Sequence, residues 1–178
     1  MSVMPEHIIL WRHAQAEDLF DGDDMVQSDM QRALTQKGQR QAADMATWLK
    51  PRLPKATLLQ CSPALRAFQT AEALQDVNKS CKINISQALK PGVSLNTVLA
   101  CIAQINSCDS LVLVGHQPWL GQLAAHLLGI SAAERIKELH IKKGAIWWLR
   151  LDKTIDKAKH EAFSARYIIH TVQVRSLL

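Results

Sequence analysis

The sequence predicts an α/β fold, a three-layer sandwich around a mostly parallel central sheet. Three observations predict it. The short apolar runs His7–Trp11, Thr57–Gln60 and Ser110–Val114 read as buried parallel strands. Helix-period patterns fill the stretches between them. No internal repeat, low-complexity tract or Pro/Gly linker divides the 178 residues, so 1–178 reads as one domain with a sizeable core.

The elements follow in order. After the first strand, Glu17 to Asp29 (EDLFDGDDMVQSD) is an acidic loop. Its carboxylates read as solvated, with a lid over a site as the alternative. Thr35 can cap a helix to about Lys50, with Ala42, Ala46 and Leu49 on one face. Beyond the second strand, Ser62 can cap a helix to about Gln75, with Pro63 at its favoured first position. Lys82–Ser86 alternates as a further strand. Ser94 to Asn106 reads as a helix, with Leu95, Val98, Leu99, Ile102 and Ile105 spaced for burial. Pro118 sits in the first turn of a helix ending near Gly129, which suits the C′ position. Ala145–Leu151 and Arg166–Val172 read as late strands.

Composition narrows the class. The 48% hydrophobic and 21% charged fractions are ordinary for a soluble globular protein. No apolar run is long enough for a membrane span. The opening MSVMPEHIILWRH lacks the basic region and long apolar core of a signal peptide, so the expected location is cytoplasmic. Cys61, Cys81, Cys101 and Cys108 form no CxxC pair and no zinc-spaced Cys/His cluster. They read as reduced thiols, with Cys61 packing rather than reacting; no metal or cofactor is expected. The net charge of +5 raises nucleic acid as a partner. The basic residues, however, spread through Arg32–Arg40, Lys50–Lys55 and Arg135–Lys159, with no nucleic-acid motif. A basic face that attracts phosphorylated substrates explains the charge equally well.

The chemistry lies at the strand ends. Arg12-His13 follows the first strand, Ser62-Pro63-Ala64-Leu65-Arg66 the second, and Gly115-His116-Gln117-Pro118 the third. Parallel strands end on one side of the sheet, where open α/β folds place their ligand crevice. Two histidines and two arginines should therefore converge. Arginine grips phosphoryl oxygens in a fork. Catalysis of phosphoryl transfer is mainly positioning and charge stabilisation. A neutral imidazole can attack phosphorus, and water then hydrolyses the phosphohistidine. The attacking ring needs one nitrogen free, so an acceptor such as a backbone carbonyl should hold its other N–H. Singly, each residue has a plainer reading: a surface Arg-His pair, a satisfied buried histidine, and an arginine on a helix surface that contributes little to folding. Their coincidence at three strand ends favours a site.

At this point the residues resemble a known family. LWRHAQAE resembles the RHG signature of the histidine phosphatase superfamily, the phosphoglycerate-mutase-like proteins. RALTQKGQRQA resembles its LTxxGxxQA helix start, CSPALRAFQTA its SPxxRAxQTA block, and VLVGHQP its second histidine motif. The blocks keep family order and span roughly Ile8 to Pro118. Their compact form looks most like the small bacterial phosphohistidine phosphatases. The resemblance implies a phosphoglycerate-mutase-like fold and a metal-independent phosphatase. In it His13 matches the nucleophile, Arg12 and Arg66 the phosphoryl-binding arginines, and His116 the second histidine that bonds the phosphoryl group. Arg32 and Gln15 are implied substrate-binding residues. For Thr35 and Gly38, helix capping and packing are enough.

Two departures from the family pattern stand out. Ala14 replaces the glycine of RHG. The glutamate that many members carry as general acid has no counterpart in Gln87-Ala88-Leu89-Lys90-Pro91-Gly92, and Gln117 stands where an acid-phosphatase branch has aspartate. The acid is absent, or comes from elsewhere, such as Glu17 or Asp18. The leading expectation is removal of phosphoryl groups from protein phosphohistidine, with a histidine-phosphorylated carrier protein as partner. The alternatives are a phosphatase of small phosphate esters and a catalytically inactive phosphate-binding module.

Overall fold

The computed structural model describes residues 5–18, 29–105, 108–130, 139–154 and 167–177. Its strands are β1 (His7–Arg12), β2 (Thr57–Cys61), β3 (Ile83–Ile85), β4 (Ser110–Gly115), β5 (Ile146–Leu151) and β6 (Tyr167–Gln173). They form one sheet in the order β3-β2-β4-β1-β5-β6. β3, β2, β4 and β1 run parallel, while β5 is antiparallel to β1 and β6 to β5. The mostly parallel α/β sheet expected from the sequence is thus present, with an antiparallel margin.

Alternation along the strands builds a core on each face. Ile8, Leu10, Leu111 and Leu113 pack on one side with Val98 and Ile102 of α3 (Leu95–Ala103) and Leu120 and Leu123 of α4 (Trp119–Leu127). On the other side, Ile9, Trp11, Val112 and Val114 pack with Met45 and Leu49 of α1 (Gln36–Leu49) and Ala67, Ala71 and Leu74 of α2 (Leu65–Val77). Each fully buried Leu or Ile contributes about 1.5–3 kcal/mol. Two helical layers around one sheet make the three-layer sandwich.

Local signals fix the helix starts. Thr35 accepts from Gly38 N and caps α1, and Ser94 accepts from Thr97 N and caps α3. Gly129, at φ 71°, turns the chain after α4. The helix α3 stops at Ala103, where Gln104 N and Ile105 N close back onto Cys101 O and Ile102 O. Val98 and Ile102 are buried as expected, and Leu95, Leu99 and Ile105 are partly buried against the same core.

Ser62 is not a helix cap. Its N–H donates to Val114 O at 3.0 Å and so still belongs to the sheet ladder. α2 starts two residues later than expected, after Ala64, which has extended backbone angles and no side-chain cap. Asn106, Arg166 and residues 19–28 of the acidic segment lie outside the described residues.

Candidate active site

The strand register brings the three chemical clusters level. Arg12 pairs with Gly115, and Cys61 with Val114. His13, Ser62 and His116 are therefore the first residues off three neighbouring strands. His13 N donates to Gly115 O at 3.0 Å, and Gly144 N donates to the carbonyls of both Arg12 and His13. Close packing holds the floor: a Cβ on Gly115 would lie 2.0 Å from the Trp119 ring.

His13 is buried, and its Nδ1 lies 2.8 Å from Ala14 O. A carbonyl only accepts, so the proton sits on Nδ1 and Nε2 keeps its lone pair. Burial lowers the His13 pKa to about 3, against the opposing effect of the Ala14 bond; Arg66, Arg12 and Lys143 lower it further. The ring is neutral and nucleophilic at ordinary pH.

His116 faces it, with ring centroids 5.1 Å apart. Burial first, then His13 and the arginines, push its pKa down to about 2. His116 Nε2 lies 2.8 Å from Ser62 Oγ, and that oxygen also accepts from Ala64 N. The serine hydroxyl can donate to Nε2, which leaves Nδ1–H as a donor. Nδ1 is buried and has no protein partner.

Both arginines are held by their tips. Arg12 Nη1 donates to Ile141 O at 2.8 Å and lies 3.2 Å from His140 Nε2. Arg66 Nη2 donates to Asp29 Oδ2 at 2.9 Å, and Arg66 Nη1 donates to Asp29 O. The Nε of each arginine is buried without a partner. Arg66 is only 3% exposed, so the plainer reading of an arginine on a helix surface that contributes little to folding does not hold. The first turn of α2 carries it inward, and Thr70 Oγ1 ties that turn to the loop by donating to Arg66 O and accepting from Ala14 N. Three buried donors without a protein partner, together with a free imidazole nitrogen, are the groups that a cradle for an anion requires.

The remaining expectations resolve as follows. Arg32 sits one residue removed from the cradle: its Nε and Nη2 donate to Asp29 Oδ1, and its Nη1 to Glu17 O. Gln15 is anchored through its backbone, N to Gln41 Oε1 and O from Thr35 N. Its carbonyl lies 1.9 Å from where a Gly38 Cβ would be, which accounts for that glycine. The Cys61 thiol is pushed up to about 12 by burial and belongs to the core, as read. Among the described residues no group of three or more His, Cys, Asp or Glu could hold a metal. Two residues were missed. Ser62 was read as a cap, although its place just after β2 marked it. Asp29, one more solvated carboxylate on the sequence reading, bridges Arg66 and Arg32.

Comparison with known proteins bears on the family and the fold. The family model described as the histidine phosphatase superfamily (branch 1) matches residues 8–90. An uncharacterized protein of Picosynechococcus sp. is 33% identical over 145 residues, covering 80% of this chain and 84% of that protein. Among solved structures, one titled as a putative phosphohistidine phosphatase SixA from Agrobacterium tumefaciens has a TM-score of 0.74 at 20% identity, covering 97% of this chain and 99% of that one. A protein histidine phosphatase SixA complexed with tungstate has a TM-score of 0.72 at 23% identity, covering 94% and 96%. At these identities the structural matches show a shared fold.

Proposed function

This chain belongs to the histidine phosphatase superfamily, and from that premise we propose that it hydrolyses phosphoryl groups through a phosphohistidine on His13, with protein phosphohistidine as its substrate. The observation that carries the reading is the pairing of a free His13 Nε2 with three unpartnered buried donors, Arg12 Nε, Arg66 Nε and His116 Nδ1. A binding module needs the donors but not the nucleophile.

In the first step the Nε2 lone pair attacks phosphorus. The bond from phosphorus to the leaving nitrogen breaks, and its electrons leave with that nitrogen. Arg12, Arg66 and His116 donate to the phosphoryl oxygens as their charge redistributes. In the second step water attacks phosphorus, the P–Nε2 bond breaks, and inorganic phosphate leaves neutral His13. Both protons of that water stay on the phosphate, which leaves as dihydrogen phosphate.

The substrate class rests on leaving-group chemistry. The Gln87–Leu89 turn carries no carboxylate, and Glu17 and Asp18 are exposed. Asp29 is held by two arginines and stays below the usual carboxylate range: burial raises its pKa, but the hydrogen bonds and charges of Arg66 and Arg32 outweigh it. An ionised carboxylate has no proton to give. Phosphohistidine leaves as imidazole and asks least of an acid. The likeness to SixA proteins is compatible with a phosphorylated protein partner. We assign the activity to the cytoplasm, in keeping with four free cysteines and no helix among the described residues able to cross a membrane.

The test is rapid quenching, without acid, of a reaction with labelled phosphohistidine protein. An acid-labile phosphoryl adduct should map to His13 and vanish in His13→Ala. Wild-type turnover in that variant would overturn the proposal.

A further inference from the structure

Asp29 is the one carboxylate among the described residues that bonds a candidate site arginine. Its two oxygens are divided: Oδ2 accepts from Arg66, and Oδ1 accepts from Arg32 at 2.7 and 3.0 Å. Its backbone carbonyl takes the second terminal nitrogen of Arg66. Arg32 is fastened in turn to Glu17 O at 3.0 Å.

A guanidinium offers two forked edges. One consists of both terminal nitrogens, the other of Nε and one terminal nitrogen. Asp29 occupies the first edge of Arg66 completely, while Nε stays unpartnered and buried. Arg12 repeats the pattern with a different partner, its tip on Ile141 O and its Nε unpaired. A carboxylate that merely plugged the site in the absence of substrate would cover the edge meant for the phosphoryl group. Asp29 leaves that edge open.

Resting on the phosphatase reading above, we propose that Asp29 is a positioning residue: it grips the tip of Arg66 so that the Nε edge meets the phosphoryl oxygens, and Arg32 braces Asp29 in that role. The arrangement also sets the charge. Arg66 is buried, and Arg12 is near enough for the Arg66 charge to lower its pKa further after burial. An anion shared between Arg66 and Arg32 lets the buried Arg66 stand beside the partly buried Arg12 without substrate.

The full chain tests this with inorganic phosphate as ligand and an aryl phosphate as substrate, in Asp29→Ala, Asp29→Asn and Arg32→Ala. Asp29→Ala should lose about tenfold to a hundredfold in both kcat and phosphate affinity, the scale expected when a donor is misplaced rather than removed. Asp29→Asn keeps the backbone acceptor and one amide oxygen, and should recover part of both. Arg32→Ala should fall between them. Circular dichroism and thermal unfolding establish that each variant is folded. If Asp29→Ala unfolds, the other two carry the test. Unchanged or tighter phosphate binding in the folded variants would overturn the proposal and mark Asp29 as a competitor of the anion. If the wild type binds phosphate but never turns over, the phosphatase reading fails while Asp29 is still judged on phosphate affinity.

Discussion

The imidazoles of His13 and His116 stand 5.1 Å apart, each hydrogen-bonded at one nitrogen, to Ala14 O and Ser62 Oγ respectively. Burial is the main cause that holds both neutral, with pKa values near 3 and 2 against 6.5 for a free ring. Neutrality is what an attacking nitrogen requires, and it has a cost at low pH. The unfolded chain takes up protons on these rings near pH 6.5, whereas the folded protein resists until about pH 3. Their contribution to stability is therefore complete above pH 6.5 and is lost as pH falls toward 3. The melting temperature should drop between pH 7 and 4, and His116→Gln, which keeps an acceptor or donor for Ser62, should flatten that drop. An equally steep profile in the variant would remove His116 from the account.

Arg66→Ala should now show two defects rather than one. The first is catalytic, because a preorganised donor to the phosphoryl group is lost; such losses lower kcat about a hundredfold to a thousandfold. The second is structural. Arg66 is buried and bonded to Asp29, so its removal leaves Asp29 Oδ2 without that donor, while Arg32 still holds Oδ1, and should cost about 1–3 kcal/mol. Urea unfolding and steady-state kinetics measure the two separately. A variant with wild-type stability and near-normal turnover would exclude Arg66 from both roles.

What could be read in advance followed from continuity along the chain. β1, β2 and β4 are short, largely apolar runs, and Arg12, His13 and His116 lie at or just past the ends of β1 and β4, so both fold and cluster are visible locally. The antiparallel pairing of β5 and β6 was not visible, because strand identity does not reveal the neighbour. Asp29 was hidden for a similar reason. Among the carboxylates of the acidic stretch nothing marks it, and its partner Arg66 lies 37 residues away. The spacing of Asp29 and Arg32 was the available hint, since residues three apart on a helical turn can meet. Pro63 is a strong helix-start signal that points to Ser62 as a cap, but the sheet ladder claims Ser62 first.

Turnover should survive chelation. Arg12 and Arg66 bring fixed positive charge to the cradle, and their unpaired Nε atoms can supply the donors that a cation would otherwise replace. Overnight dialysis against EDTA should leave kcat unchanged. Loss of activity that a divalent ion restores would show that the arginines do not suffice.

The leaving group should govern the rate. An alkyl phosphate departs as an alkoxide, which is strongly basic and needs a proton from a placed acid. No described carboxylate is suited to give it: the turn at Gln87–Leu89 has none, Asp29 is held ionised by Arg66 and Arg32, and Glu17 and Asp18 are exposed. A phosphohistidine protonated on its second ring nitrogen departs as neutral imidazole, and an aryl phosphate departs as a weakly basic phenolate. Both can leave while Arg12, Arg66 and His116 stabilise only the phosphoryl oxygens. The kcat/KM values should therefore rank a phosphohistidine protein and an aryl phosphate well above a sugar phosphate under the same conditions. Replacing the aryl group with more basic phenols should slow turnover steadily, since nothing offsets the growing charge on the leaving oxygen. A flat dependence on phenol basicity, or a preference for the sugar phosphate, would mean that an acid does serve this site. Asp29→Asn would then be the first variant to compare, because loss of the sugar phosphate activity alone would name Asp29 as the donor.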